Sequence, residues 1–108
     1  MPQFMLLLRD SGNFPTDISA EEIQSIIQKY KAWNQRIGGS GHKLRDGEGR
    51  LLRKSDSVMV TDGPYAESRE ILGGYMLVEA ASYDDVVRHC QDSPHLAFGS
   101  IEIRQVEL

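Results

Sequence analysis

The sequence predicts one α+β domain, an antiparallel sheet carrying two helices on one face. Three observations lead there. The chain has 108 residues, 40% hydrophobic and 26% charged, which suits a single globular core over residues 1–108. Its apolar residues fall in short runs of strand length and in two segments of helical spacing. Those pieces follow the order strand, helix, hairpin or strand pair, helix, strand.

The first strand is QFMLLLR, residues 3–9, closed by Asp10, Ser11 and Gly12. A loop holding Asn13, Pro15 and Asp17 follows. Ser19, with Glu22 three residues on, has the spacing of a helix start. Ile23, Ile26, Ile27, Tyr30, Trp33 and Ile37 then form one apolar stripe, so this helix covers a core on one side. Gly38-Gly39 stops it. Residues 41–61 contain strand-like pieces at His42–Leu44, Leu51–Arg53 and Ser57–Thr61 around the turns of Asp46-Gly47, Gly49 and Asp56. They read as a hairpin with an irregular arm. Asp62-Gly63-Pro64 is a break, and a charged stretch through Glu70 leads to Gly73-Gly74. YMLVEA, residues 75–80, is the next strand. Ser82 and Asp85 repeat the capping spacing for a second helix, in which Tyr83, Val86, Val87 and Cys90 share a face. Ser93-Pro94 ends it, and SIEIRQVE, residues 100–107, closes the chain as an alternating strand. This is the ferredoxin-like arrangement.

Charge and composition remove several classes of function. The net charge is -4, and the Lys and Arg residues are scattered without a basic run, which argues against nucleic acid as a partner. The apolar run Phe4–Leu8 is too short for a signal peptide or a membrane span, so no membrane association is expected. The single cysteine, Cys90, allows no intrachain disulfide and suits a cytoplasmic location. His89 and Cys90 are helix neighbours pointing about 100° apart, a poor start for a metal site, and no other Cys or His joins them. Neither a phosphate-binding glycine loop nor a nucleophile elbow is present, and nothing in the chain calls for a metal or cofactor.

The strand patterns imply a partner. Phe4, Leu6 and Leu8 oppose Met5 and Leu7, and Tyr75 and Leu77 oppose Met76 and Val78, so both strands are apolar on both faces. The last strand sets Ile101 and Ile103 against Glu102 and Arg104. In a ferredoxin-like sheet the first and third strands are central and the last is an edge. Two helices cover one face only. Each apolar side chain left on the other forfeits roughly 1.5–3 kcal/mol. A homodimer packed sheet against sheet, with two-fold symmetry, is the expected solution. The alternative is that the hairpin folds over the sheet of its own subunit.

The segment VTDGPYAESREILGGYMLVEA, residues 60–80, resembles the signature of the YCII-related family, in particular its DGPF-type branch. The FMLLL strand, the helix ending near Trp33, the SGHKL segment, Ser93-Pro94-His95-Leu96 and the final GSIEIRQVE follow the same layout. Tyr65 stands where Phe is usual, Arg69 where Lys is usual, and Gln105 where a Pro often follows the Arg. The resemblance implies a dimeric α/β barrel of the ferredoxin-like class. Some relatives in the wider family are associated with a His–Asp pair and ring-directed lyase activity. The DGPF branch is linked to alternative sigma factors, which implies regulation as a second context.

The candidate site residues each admit a structural and a chemical role. Asp62 can brace the DGP turn by accepting backbone amides, or serve as a general base or orient a histidine. His42, on a strand, and His95, after Pro94, are the acid–base candidates because imidazole titrates near neutrality. Arg69 could clamp a carboxylate while Glu67 takes a proton, with Tyr65 beside them. Arg9 could line a cleft with Glu102 and Arg104, which otherwise make a charged edge. Two functions follow. One is a dimeric module that binds a small molecule or docks another protein, favoured because no recognisable catalytic set is present. The other is a cofactor-independent lyase or isomerase moving a proton with Asp62 and His42 or His95, on a small aromatic or acidic substrate.

Overall fold

The computed structural model describes every residue except Asn13, Tyr65, Ser68 and Arg69, and excludes the side chains of Ala66 and Glu67. Strand β1 (Gln3–Asp10) leads to helix α1 (Ala20–Ile37). Ser19 caps that helix by accepting the Glu22 amide through Oγ at 3.1 Å, and Gly38 ends it in the left-handed conformation at φ 68°. Strand β2 (Ser40–Lys43) follows, then the pair β3 (Arg50–Lys54) and β4 (Val58–Asp62). A short β5 (Ala66–Glu67) precedes β6 (Glu70–Glu79) and helix α2 (Tyr83–Cys90). A single 3-10 turn, Pro94–Ala97, delivers the chain to β7 (Gly99–Gln105).

The main path of the sheet is β2-β6-β1-β7, with β5 added to β6, and the pairings are antiparallel. This is the ferredoxin-like order, with β1 and β6 central and β7 at an edge. Both helices lie on the same face. Phe4 and Leu6 from β1 and Met76 and Val78 from β6 pack with Trp33 and Ile37 of α1 and Val86 and Cys90 of α2. Leu6 and Val86 have no exposed surface at all. Ile101 and Ile103 pair across from Leu8 and Leu6 and extend the same layer. The Trp33 indole N–H donates to the His89 carbonyl at 2.8 Å and ties the helices together. Burial raises the Cys90 thiol to about 11, as expected for a core residue.

The helical stripes are buried less than their sequence spacing suggests. In α1 only Trp33 and Ile37 are buried, while Ile23 and Ile27 stay exposed on the overhanging first half. In α2 Val86 and Cys90 face the core, whereas Val87 and Tyr83 are exposed. Tyr83 still sets its ring edge against Phe4 at 4.8 Å.

Gly73-Gly74 does not break the chain as its composition suggests. Strand β6 begins at Glu70 and runs through both glycines. Leu8 pairs with Gly74 but Arg9 pairs with Leu72, so Gly73 is the extra residue of a β-bulge. A Cβ there would collide with the Asp10 carboxylate, so the glycine permits this close approach.

The segment 41–61 divides in two. Residues 40–43 join the main sheet on β6, with His42 opposite Tyr75. Strands β3 and β4 form a separate two-stranded ribbon, with Leu52 opposite Val60 and Arg50 opposite Asp62. All but one of its strand residues are exposed, so it does not roof the sheet of its own chain.

Candidate functional site: the open sheet face and its cleft

On the face away from the helices, strand register places the side chains in rows. His42, Tyr75, Leu7 and Glu102 lie in one row, and Ser40, Leu77, Met5 and Arg104 in the next. Four strands at the usual spacing make each row about 14 Å from end to end. The middle is apolar and the ends are polar. At one end His42 Nδ1 and the Tyr75 hydroxyl share a 3.2 Å hydrogen bond on the exposed surface. At the other, the Arg9 guanidinium donates to Glu102 at 3.2 Å, and Arg104 approaches the second Glu102 oxygen at 3.6 Å. Two guanidiniums thus share one carboxylate, which leaves a net positive charge and most of their N–H donors unused among the described side chains.

Beyond Arg9 the face opens into a cleft of about 540 Å³ between the end of β1, the start of β6 and the β2–β3 loop. Its walls set Arg9, Arg45 and Arg50 beside Asp10, Asp46 and Glu48, with Leu44, Pro64 and Leu72 as the apolar part. The Leu44 amide donates to the Gly73 carbonyl at 2.9 Å and anchors one wall, and the Gly63 amide donates to Gly49 at 2.8 Å and closes the base of the ribbon.

The proton-transfer candidates do not converge within the chain. The Asp62 side chain is 88% exposed and pairs with Arg50 at 3.2 Å rather than bracing the DGP turn through backbone amides. Neither His42 nor His95 touches it. His95 lies in the 3-10 turn, 3% exposed, with both ring nitrogens engaged. Its Nε2 contacts the Arg9 carbonyl at 2.8 Å, and a carbonyl only accepts, so Nε2–H is the donor. The Tyr30 hydroxyl then donates to Nδ1 at 3.0 Å. His95 is accordingly held between α1 and the end of β1 by both ring nitrogens. Sequence reasoning missed this because its partners lie 65 and 86 positions away. Tyr65 and Arg69 lie outside the described residues, as does the side chain of Glu67. Arg9 and Arg104 are brought together, through Glu102.

Burial, and then the Asp10 carboxylate, push the Tyr30 phenol up to about 12 from an ordinary 10. The folded state keeps its proton where the unfolded chain has lost it. Stability therefore falls as pH rises from about 10 to about 12, and the contribution is intact below that window. Tyr30→Phe is expected to lessen this fall, leaving the part that the raised Cys90 thiol contributes. At neutral pH it leaves His95 Nδ1 without its donor and costs about 1–3 kcal/mol. Urea titrations of both proteins across the window check it, read as the difference between the two.

The fold and the site together define a class: a ferredoxin-like α+β domain whose uncovered sheet face ends in a charged, cleft-bearing rim. Within that class the chain belongs to the YCII-related domain family, whose model matches residues 3–108. It is similar to an uncharacterised protein of Rhizobium meliloti (strain 1021), with 33% identity over 60 residues. That match covers 54% of this chain and 48% of the relative, so the two are aligned over about half of each. Among solved structures it is similar to 5-chloro-2-hydroxyhydroquinone dehydrochlorinase of Burkholderia phenoliruptrix AC1100, determined in complex with 2,5-dihydroxybenzoquinone. There the TM-score is 0.49 and the identity 16%, over 97% of this chain and 93% of the other. Among the described residues no group of three or more His, Cys, Asp or Glu is placed to hold a metal ion, and no helix is long and apolar enough to cross a membrane.

Proposed function

We propose that this chain is a small-ligand-binding module that works as a homodimer, the two sheets packed face to face and the rim at Arg9 receiving an anionic group of the ligand. The observation that carries this reading is Arg9, which lines the cleft and is tied through Glu102 to Arg104 beside the apolar middle of the open face. A guanidinium at such a place recognises a carboxylate through paired N–H donors, while Leu44 and Leu72, which line the cleft, offer apolar surface to an attached ring. The enzyme alternative needs Asp62 to meet His42 or His95. Asp62 lies against Arg50 and His95 is locked in the core, so the geometry supports a binding module better.

Benzoate is the simplest probe with both features. Calorimetry is expected to show saturable millimolar or tighter binding. Arg9→Ala should weaken it by ten- to a hundred-fold, the loss of a charge-assisted hydrogen bond of about 1.5–3 kcal/mol. An isotherm without saturation, or an Arg9→Ala variant that binds as well as the parent, contradicts the reading.

A further inference from the structure

Ribbon β3–β4 is the least explained part of the molecule. Leu52 and Val60 face each other across it, and Val58 stands two residues from Val60, so all three lie on one side. They are 61%, 59% and 55% exposed. A lone two-stranded ribbon is marginal in water, and each of these side chains forfeits roughly 1.5–3 kcal/mol while unburied.

The overall dimensions say how much cover is missing. The chain exposes 7956 Å², whereas a compact protein of 12.1 kDa exposes about 6,000 Å². Its radius of gyration is 15.7 Å against about 13 Å for a compact domain of this length. The shortest dimension is 20 Å, the depth of one sheet and one helix layer. Two chains that each hid the surplus would bury about 4,000 Å² together, within the range of obligate homodimers. The open sheet face and the ribbon are both part of that surplus.

Charge selects the same occupant. Residues 50–62 carry Arg50, Arg53 and Lys54 against Asp56 and Asp62, a net +1, and the rest of the chain carries -5. The arm is thus cationic relative to the body of another copy, and like-charged repulsion between bodies is eased where an arm lies on one.

We infer that the β3–β4 arm packs its Leu52–Val58–Val60 side on a second copy of this chain, and that this docking fixes a wall of the ligand cleft. The second half follows from continuity, because Gly49, Arg50 and Pro64 at the root of the arm line that cleft. An arm held by the partner holds the cleft wall still, so assembly and ligand binding strengthen each other. The inference rests on the sheet-to-sheet homodimer proposed above and adds the arm to it.

The test is sedimentation of the full chain beside the double variant Val58→Lys, Val60→Lys. The variant is expected to dissociate at least a hundred-fold more readily, with the far-ultraviolet dichroism and cooperative urea transition of a folded monomer. Benzoate should bind it at least tenfold more weakly when monomeric, and recover where concentration restores the dimer. A variant that dimerises like its parent overturns the arm docking and leaves the sheet-to-sheet dimer standing, whereas a parent that is itself monomeric overturns both. A gentler variant guards against misfolding: Val60→Cys, labelled with an environment-sensitive fluorophore, since Cys90 is buried. Its emission should shift to the blue with the same concentration midpoint as sedimentation. Emission that stays constant through that midpoint also overturns the inference.

Discussion

Leu7→Asp is expected to split the dimer into folded monomers. Leu7 is half-buried in the middle of the open face, in the row of Tyr75 and Glu102. Within one chain an aspartate there still reaches water, and the helix-side core is untouched. In a sheet-to-sheet dimer the same carboxylate loses its hydration on both copies without a partner, which costs several kcal/mol. A total of about 4 kcal/mol raises the dissociation constant roughly a thousandfold. Leu7→Met, which keeps an apolar side chain of similar size, should leave assembly unchanged. Sedimentation of the two variants checks both statements, and an aspartate variant that dimerises as well as the parent contradicts the first.

Phe4→Ala is expected to fail in a different way, although Phe4 lies on the same strand. Its side chain points to the helices, is 1% exposed and meets Tyr83 edge-on. Removing it leaves a void that the two helices and the sheet cannot fill, at about 3–5 kcal/mol. Domains of this size hold only about 5–15 kcal/mol in total. The variant should therefore unfold at far lower urea concentration, and its assembly should weaken only because the folded state is scarcer. A urea midpoint close to that of the parent would contradict the placement of the core. The pair of variants separates the two faces of one strand: Phe4 is packed in the core, and Leu7 tests the proposed association.

That division was readable from the sequence because strand side chains alternate strictly. Phe4, Leu6, Met76, Val78, Ile101 and Ile103 were separable from Met5, Leu7, Tyr75, Leu77, Glu102 and Arg104 by parity alone, and the strand order followed from which runs were apolar twice over. Ser19 and Ser82 were legible for a similar reason, since a cap acts over three residues. Features set by distant parts of the chain were not. Gly73-Gly74 has the composition of a break, yet Asp10, over sixty residues earlier, makes it a bulge inside a strand. The stripe from Ile23 to Ile37 has one period throughout, but the sheet extends under only its second half.

The site divides along the same line. Arg9, Glu102 and Arg104 could be grouped in advance because they occupy one face of two neighbouring strands. His42 was placed on a strand, but its tyrosine partner depends on the β2–β6 register. By sequence Asp62 could either brace its own turn or act as a base beside a histidine. A carboxylate at the end of a ribbon strand, directly opposite Arg50, finds a cation sooner than a backbone amide. His95 had no local signal for burial, since the residues that bury it come from α1 and β1.

The central claim is that half of the sheet is covered by another copy of the same polypeptide. Sedimentation equilibrium of the unaltered chain, from nanomolar to micromolar concentration, measures it directly. The mass should be twice the 12.1 kDa of one chain at micromolar concentration, falling towards one chain only on strong dilution. A mass of 12.1 kDa at every concentration would show a sheet face that stays in water.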